Sequence, residues 1–139
     1  MVSNETFFKY DVTFFITCTN SIPLYRSRLE IFKKYGLVNT SSISYKVILS
    51  LNKNDNDQDD IFKNWDCDIE IIKTKYSCDA PKERHLRNAP KVYSFFSNME
   101  KEHIEESRWM IKVDDDSVTN VKGLINALDA DYNYKNPLK

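Results

Sequence analysis

The sequence predicts an α/β fold: a Rossmann-like, mostly parallel sheet with helices on both faces. Three observations carry this expectation. Short apolar, β-rich runs recur at 11–18, 45–51, 68–73 and 109–113. Stretches with helical spacing and helix-end residues lie between and after them. The resulting order, β-α-β-α-β-α-β-α, suits parallel strands, because each return between them needs a crossover. At 139 residues the chain is long enough for one domain with a sizeable core. We therefore expect a single domain over 1–139.

The elements follow in order. Residues 1–9 read as a lead-in, and 11–18 (DVTFFITC) as the first strand. Thr19, Asn20 and Ser21 form a turn rich in capping side chains, and Pro23 suits a first helical turn. Tyr25, Leu29, Phe32 and Tyr35 recur at helical spacing, with Gly36 as a C-terminal cap. After a polar connection, 45–51 (YKVILSL) is the second strand. The loop 52–60 is polar, 61–65 a short helix, and 68–73 (DIEIIK) the third strand. Residues 74–83 form a loop holding Pro81. From Pro90 a longer helix is expected, with Val92, Phe95, Phe96, Met99 and His103 on one face. The fourth strand is 109–113. Thr119 or Asn120 then caps a helix whose apolar stripe is Val121, Leu124, Ile125 and Leu128, and the polar tail from Asp129 should fray.

Composition excludes several function classes. Twenty basic and 21 acidic residues leave almost no net charge, which argues against nucleic acid as the main partner. The two glycines, Gly36 and Gly123, leave no Gly-rich phosphate loop or dinucleotide fingerprint. No signal peptide is visible, and no segment approaches the ~20 apolar residues that span a bilayer. The expected location is the cytoplasm if the chain is complete; otherwise a membrane anchor lies outside this chain. Cys18, Cys67 and Cys78 lack zinc-site spacing and read as buried thiols. A Cys67–Cys78 disulfide would require an oxidising compartment.

The run Trp109-Met110-Ile111-Lys112-Val113-Asp114-Asp115-Asp116 carries the chemistry. Burial draws its apolar residues inward, while repulsion keeps three carboxylates wet or paired with a cation. A strand tip satisfies both. Ligands on doubly wound sheets bind beyond the carboxyl ends of the strands, where strand order reverses. Both polar clusters that end strands, 17–20 and 114–116, would lie there as neighbours if the first and fourth strands pair. On an extended chain Asp114 and Asp116 share a face and Asp115 points away. Two such carboxylates suit Mg²⁺ or Mn²⁺. A solvated turn is the commoner fate of a charge run, but an apolar strand before it and a capped helix after it favour the metal.

The segment from His85 to Leu128 resembles the Fringe-like and related β-1,3-glycosyltransferases, which have the GT-A fold. The matching residues are His85, Arg87, Lys91, Tyr93, Phe96, Trp109, Val113, Asp114, Asp115, Asp116, Asn120, Leu124 and Leu128. The match covers about a third of the chain; Arg26 and Arg28 fit more loosely. The resemblance implies a glycosyltransferase that uses a UDP-sugar and Mn²⁺ (or Mg²⁺) to modify a glycan or protein hydroxyl. It implies that Asp116 ligates the metal and, for a chain excised from a longer anchored protein, a location in the Golgi lumen; strand alternation adds Asp114 as the second metal carboxylate. It implies that Asp114 and Asp115 contact the ribose, the donor sugar or metal-bound water. Thr17, Thr19 and Asn20 would border the uridine, and Arg87 or Lys91 could reach the nucleotide or diphosphate. A solvated helix face accounts for Arg87 and Lys91 equally well.

Enzymes of this type carry a second half with the acceptor pocket, a catalytic base and a further metal ligand. Here 23 residues follow Asp116, without His, and their acids are Asp129 and Asp131. Inversion needs a base on the acceptor hydroxyl, and neither acid is well placed on a helix leading away. The chain therefore reads as the donor-binding half, completed by a second chain or a C-terminal half. The alternative is a non-catalytic nucleotide-sugar and metal-binding module. Other candidates are weaker. Asp55, Asp57, Asp59 and Asp66 echo a calcium loop, but Asp60 occupies the glycine position and the twelfth residue is not Glu. His103 reads as a packed core residue. Cys18 has no His placed beside it, and Trp65 and Trp109 read as core or edge aromatics.

Overall fold

Apolar side chains on both faces of consecutive strands dictate a sheet covered on both sides, and that is the architecture observed. The computed structural model describes residues 8–74, 92, 95–97 and 99–135. The main strands are β1 (Tyr10–Thr17), β3 (Tyr45–Asn52), β4 (Asp68–Thr74) and β5 (Ser107–Val113). They lie in the order β4-β3-β1-β5, and every pairing is parallel. Chain order thus runs outward from β1 through β3 to β4, then returns to place β5 on the other side of β1. The β1–β5 boundary is the point where strand order reverses, and Ile16 pairs with Val113 there.

Alternation divides the side chains between two layers. Val12, Phe14, Ile16, Val47, Leu49 and Leu51 face one layer and are fully buried. They pack with Leu29 and Phe32 of helix α1 (Pro23–Tyr35), Ile61 and Phe62 of a 3₁₀ turn (Asp60–Phe62), and Val121 and Ile125 of helix α3 (Val121–Lys135). Each such side chain stabilises the fold by roughly 1.5–3 kcal/mol through burial. On the opposite face Phe15 meets Phe95 edge-on at a centroid distance of 5.3 Å. There too His103, on helix α2 (Lys101–Glu106), is buried and reaches Glu70 of β4. Helices therefore cover both faces, as expected for a Rossmann-like fold.

Several expected boundaries move. The helix through Phe95 and His103 is interrupted: residues 95–97 are helical, Met99 and Glu100 are not, and α2 starts afresh at Lys101. The Glu100 carboxylate accepts from the third backbone N–H of α2, and the His103 ring accepts the Glu100 N–H, so the pair caps the new helix. Val92 and Phe96 are exposed, so the single apolar face does not form. The segment 61–65 makes only one 3₁₀ turn, begun at Asp60. The α3 helix continues through Asp129 to Lys135 instead of fraying. Tyr35 is exposed, so α1 buries a narrower stripe than its spacing suggests.

A second, two-stranded parallel sheet joins β2 (Leu37–Val38) to β6 (Thr119–Asn120). It ties the end of α1 to the start of α3. Asn120 caps α3: its Oδ1 accepts the Gly123 N–H at 3.0 Å. Gly36 ends α1 with a right-handed φ of −71°, so its glycine is not needed for a left-handed cap. Space is the reason: an added Cβ would lie 2.2 Å from the Phe32 ring.

Candidate functional site

Extended geometry stops at Val113, and this reshapes the carboxylate run. The Ser117 N–H donates to the Asp114 carbonyl at 3.3 Å, and the Ser117 hydroxyl donates to the same oxygen at 2.7 Å. Asp115 and Asp116 are thus the two central residues of a turn beyond the strand. The expected alternation of Asp114 and Asp116 on one face does not hold. Asp114 is exposed and meets Lys112 at 3.0 Å. Asp115 is buried, its side chain only 5% exposed, and it shares a partner with Asp116. That partner is Arg28 of α1: its Nη2 lies 3.1 Å from Asp115 Oδ1 and 2.8 Å from Asp116 Oδ2.

The donor set suits a hard cation. Two carboxylate oxygens from adjacent residues converge on one positively charged nitrogen. A divalent cation at such a pair would complete its shell with water, as Mg²⁺ commonly does. The converging pair is Asp115 with Asp116, a correction to the pairing of Asp114 with Asp116. Among the described residues no group of three or more His, Cys, Asp or Glu side chains forms a closed metal cage. A cation here would have an open site and would compete with the guanidinium.

The tip of β1 lies beside this turn, because Ile16 pairs with Val113. Thr17 is buried, and its hydroxyl has no hydrogen-bond partner among the described residues. Thr19 is fully buried and donates to Asp55 Oδ1 at 2.9 Å. Asp55 also accepts the Asn52 N–H at 2.8 Å. Asn20 donates to the Asn56 carbonyl at 2.6 Å and to Asp59 Oδ2 at 3.1 Å. Its own Oδ1 is buried without a partner among the described residues. Thr19 therefore braces the loop after β1 against the loop after β3. Thr17 and Asn20 retain polar atoms of the kind a ligand can satisfy.

Arg26 and Arg28, two residues apart on α1, point to different partners. Arg26 grips Asp59 with a two-pronged clamp, Nε at 2.9 Å and Nη2 at 2.7 Å, and also pairs with Glu30. The Arg26 guanidinium holds the Asp59 carboxyl well below the usual carboxylate range, against the burial that would raise it. Asp57 faces Lys73 at 3.7 Å. Asp55, Asp57 and Asp59 of the calcium-like run thus have separate partners. Arg28 engages its carboxylates through one nitrogen only, and its Nε is buried with no partner among the described residues. The Arg28 guanidinium also stands 5.1 Å from the Tyr25 ring centroid. A groove of about 200 Å³ opens beside it, lined by Arg28, Ile31, Tyr35, Asp115, Asp116 and Val118.

The sequence reading missed Arg28's engagement with the carboxylates. The available signal was position: Arg28 directly precedes the buried Leu29, so it borders the packed face of α1. Of the other expected residues, His85, Arg87, Lys91 and Tyr93 lie outside the described residues, as does Cys78 of the possible disulfide. Cys18 is buried. Burial pushes the Cys67 thiol up to about 11, so it is a poor nucleophile near neutral pH. Trp109 packs against the core and donates to Asp129 Oδ1 at 3.1 Å; Arg108 meets the same carboxylate at 2.9 Å.

A second charged cluster lies toward the other end of the sheet. Lys46 is buried between Glu70 at 2.9 Å and Glu106 at 3.1 Å, and His103 Nε2 is 2.8 Å from Glu70. The His103 Nδ1 accepts a backbone N–H, which leaves Nε2 to donate to Glu70. Burial works against the Lys46 ammonium, but its bonds to Glu70 and Glu106 prevail and its pKa rises. Burial would raise Glu70, yet Lys46 and His103 hold it below its ordinary value. Lys46 thus bridges two carboxylates and His103 takes the second oxygen of Glu70, a linked arrangement of the kind that fastens a structure.

Fold and site together define a Rossmann-like parallel α/β domain with carboxylates at its switch point. No protein-family model matches the chain, and neither a curated protein nor a solved structure matches it. Among the described residues no helix is long and apolar enough to cross a membrane.

Proposed function

We propose that this chain is the donor-binding part of a metal-dependent glycosyltransferase that accepts a UDP-sugar. The observation that carries the reading is the convergence of Asp115 and Asp116 beyond β5, beside the tip of β1. Ligands of doubly wound sheets bind at this position. Asp115 and Asp116 would hold Mn²⁺ or Mg²⁺, and Asp114, exposed at the rim, would face the donor or metal-bound water. Neutralising the diphosphate as it leaves is the chemistry such a cation supplies when bound. Thr17 and Asn20, with unanswered polar atoms, would border the nucleoside; Thr19 holds their loop in place through Asp55.

A second reading, nucleotide-sugar binding without transfer, draws support from Asp129. This acid, which follows the turn in sequence, is engaged by Trp109 and Arg108 and is poorly free to act as a base. The two readings separate on release of UDP from UDP-sugars with and without a glycan acceptor. Their shared premise is tested by calorimetry with UDP in the presence of Mn²⁺. We expect saturable heat for the native chain and its loss in Asp116→Ala. No heat for the native chain, or unchanged binding in the variant, would overturn the reading.

A further inference from the structure

The two arginines of α1 provide a built-in comparison. Arg26 holds Asp59 through two nitrogens, the geometry of a permanent clamp. Arg28 holds two carboxylates through a single Nη2, leaves its buried Nε unanswered among the described residues, and borders an open groove. A guanidinium built only to fasten α1 to the turn would use its fork. This one instead places one positive nitrogen where two carboxylate oxygens converge, which is where a metal ion would be bound.

We infer that Arg28 is a resident counter-ion of the carboxylate turn, displaced by a divalent cation and then free to hold the diphosphate of the donor. The inference rests on the proposed donor-binding function and adds a diphosphate-binding residue to it. In the absence of metal, Arg28 neutralises Asp115 and Asp116, so the buried Asp115 is not left as an uncompensated charge. An arriving cation takes over both oxygens. The guanidinium then lies next to the site with its fork unused, and a planar fork matches phosphate oxygens in pairs. The Tyr25 ring, 5.1 Å away, offers the cation an aromatic face during the exchange.

Arg28 should therefore act in opposite directions on the two ligands, which a purely structural residue would not do. The experiment is calorimetry on the full chain and on Arg28→Met, first with Mn²⁺ alone, then with UDP at saturating Mn²⁺. Removing the competitor should tighten Mn²⁺ binding on the order of tenfold, the scale of one charge-assisted contact. It should weaken UDP binding by a similar factor. If the variant binds Mn²⁺ no more tightly than the native chain, or binds UDP equally well, the inference is overturned while the donor-binding function stands. If neither protein binds Mn²⁺, both fail. Circular dichroism checks the fold. Should Arg28→Met not fold, Arg28→Lys, which keeps the charge but loses the fork, should still weaken UDP; unchanged UDP binding there overturns the inference.

Discussion

Replacing Lys46 with Met should cost about 2 kcal/mol of stability, and the loss should depend on pH. The substitution keeps an unbranched apolar stem and removes the ammonium. Glu70 and Glu106 then face each other without the cation that lies 2.9 and 3.1 Å from them. Breaking a fully buried pair costs roughly 3–5 kcal/mol. Here the Lys46 side chain is 9% exposed, but Glu70 and Glu106 are 36% and 30% exposed. Water can compensate them in part, so we discount the loss to about 2 kcal/mol. For a domain of this size that lowers Tm by roughly 6–8 °C. Glu70's folded pKa is depressed, so its contribution is complete above its unfolded value of ~4.3 and is lost as pH falls through the folded value. Lys46's folded pKa is raised, so its contribution holds up to its unfolded value of ~10.4 and is lost as pH rises through the folded value. Thermal unfolding followed by circular dichroism should show the full gap at pH 7 and a narrowing gap below pH ~4. His103 and the Tyr10 ring border the same cluster and are unchanged in the variant. A gap under about 0.5 kcal/mol at pH 7, the usual scale of surface changes, would refute the reasoning. So would a gap that stays constant in acid.

Two further expectations concern packing and charge. Gly36→Ala should destabilise by roughly 1–3 kcal/mol in urea unfolding, because a Cβ 2.2 Å from the buried Phe32 ring forces that ring or the helix end to shift; a gain in stability would show that the backbone preference of alanine decides instead. Asp59→Asn should lower the urea midpoint at pH 7, since the depressed carboxyl contributes above its unfolded value of ~3.9 and loses that contribution as pH falls. The midpoints of variant and native protein should therefore approach each other in acid.

Where burial sets the pattern, the sequence was readable. The runs at 11–18 and 45–51 are apolar at consecutive positions because both faces of β1 and β3 are covered, and the strands lie within a residue of those bounds. The cap was legible to within one residue: Thr119 and Asn120 both offer an oxygen, and the structure uses Asn120, whose Oδ1 accepts the N–H three residues on. The mini-sheet of β2 and β6 was not, because two residues make no period. The break at Met99–Glu100 was hidden because the apolar spacing continues across it while Glu100 and His103 cap a new helix. At the site, the position of the carboxylates followed from Val113 ending an apolar strand, but their pairing did not. Alternation holds only while the chain is extended, and the turn closed by Ser117 brings Asp115 and Asp116 together. Arg28's place beside the buried Leu29 put it at the edge of the packed face, but its partner on that turn is a tertiary contact that this local signal does not specify.

The proposed UDP-sugar site lies at the carboxyl edge of β1 and β5. Amide chemical-shift mapping tests it most directly, with UDP and Mg²⁺ titrated together into the labelled chain. Saturable shifts are expected at residues 17–20 and 114–117 and at Arg28, with Lys46, Glu70 and His103 unmoved. No saturable shifts, or shifts concentrated around Lys46 and His103, would contradict it.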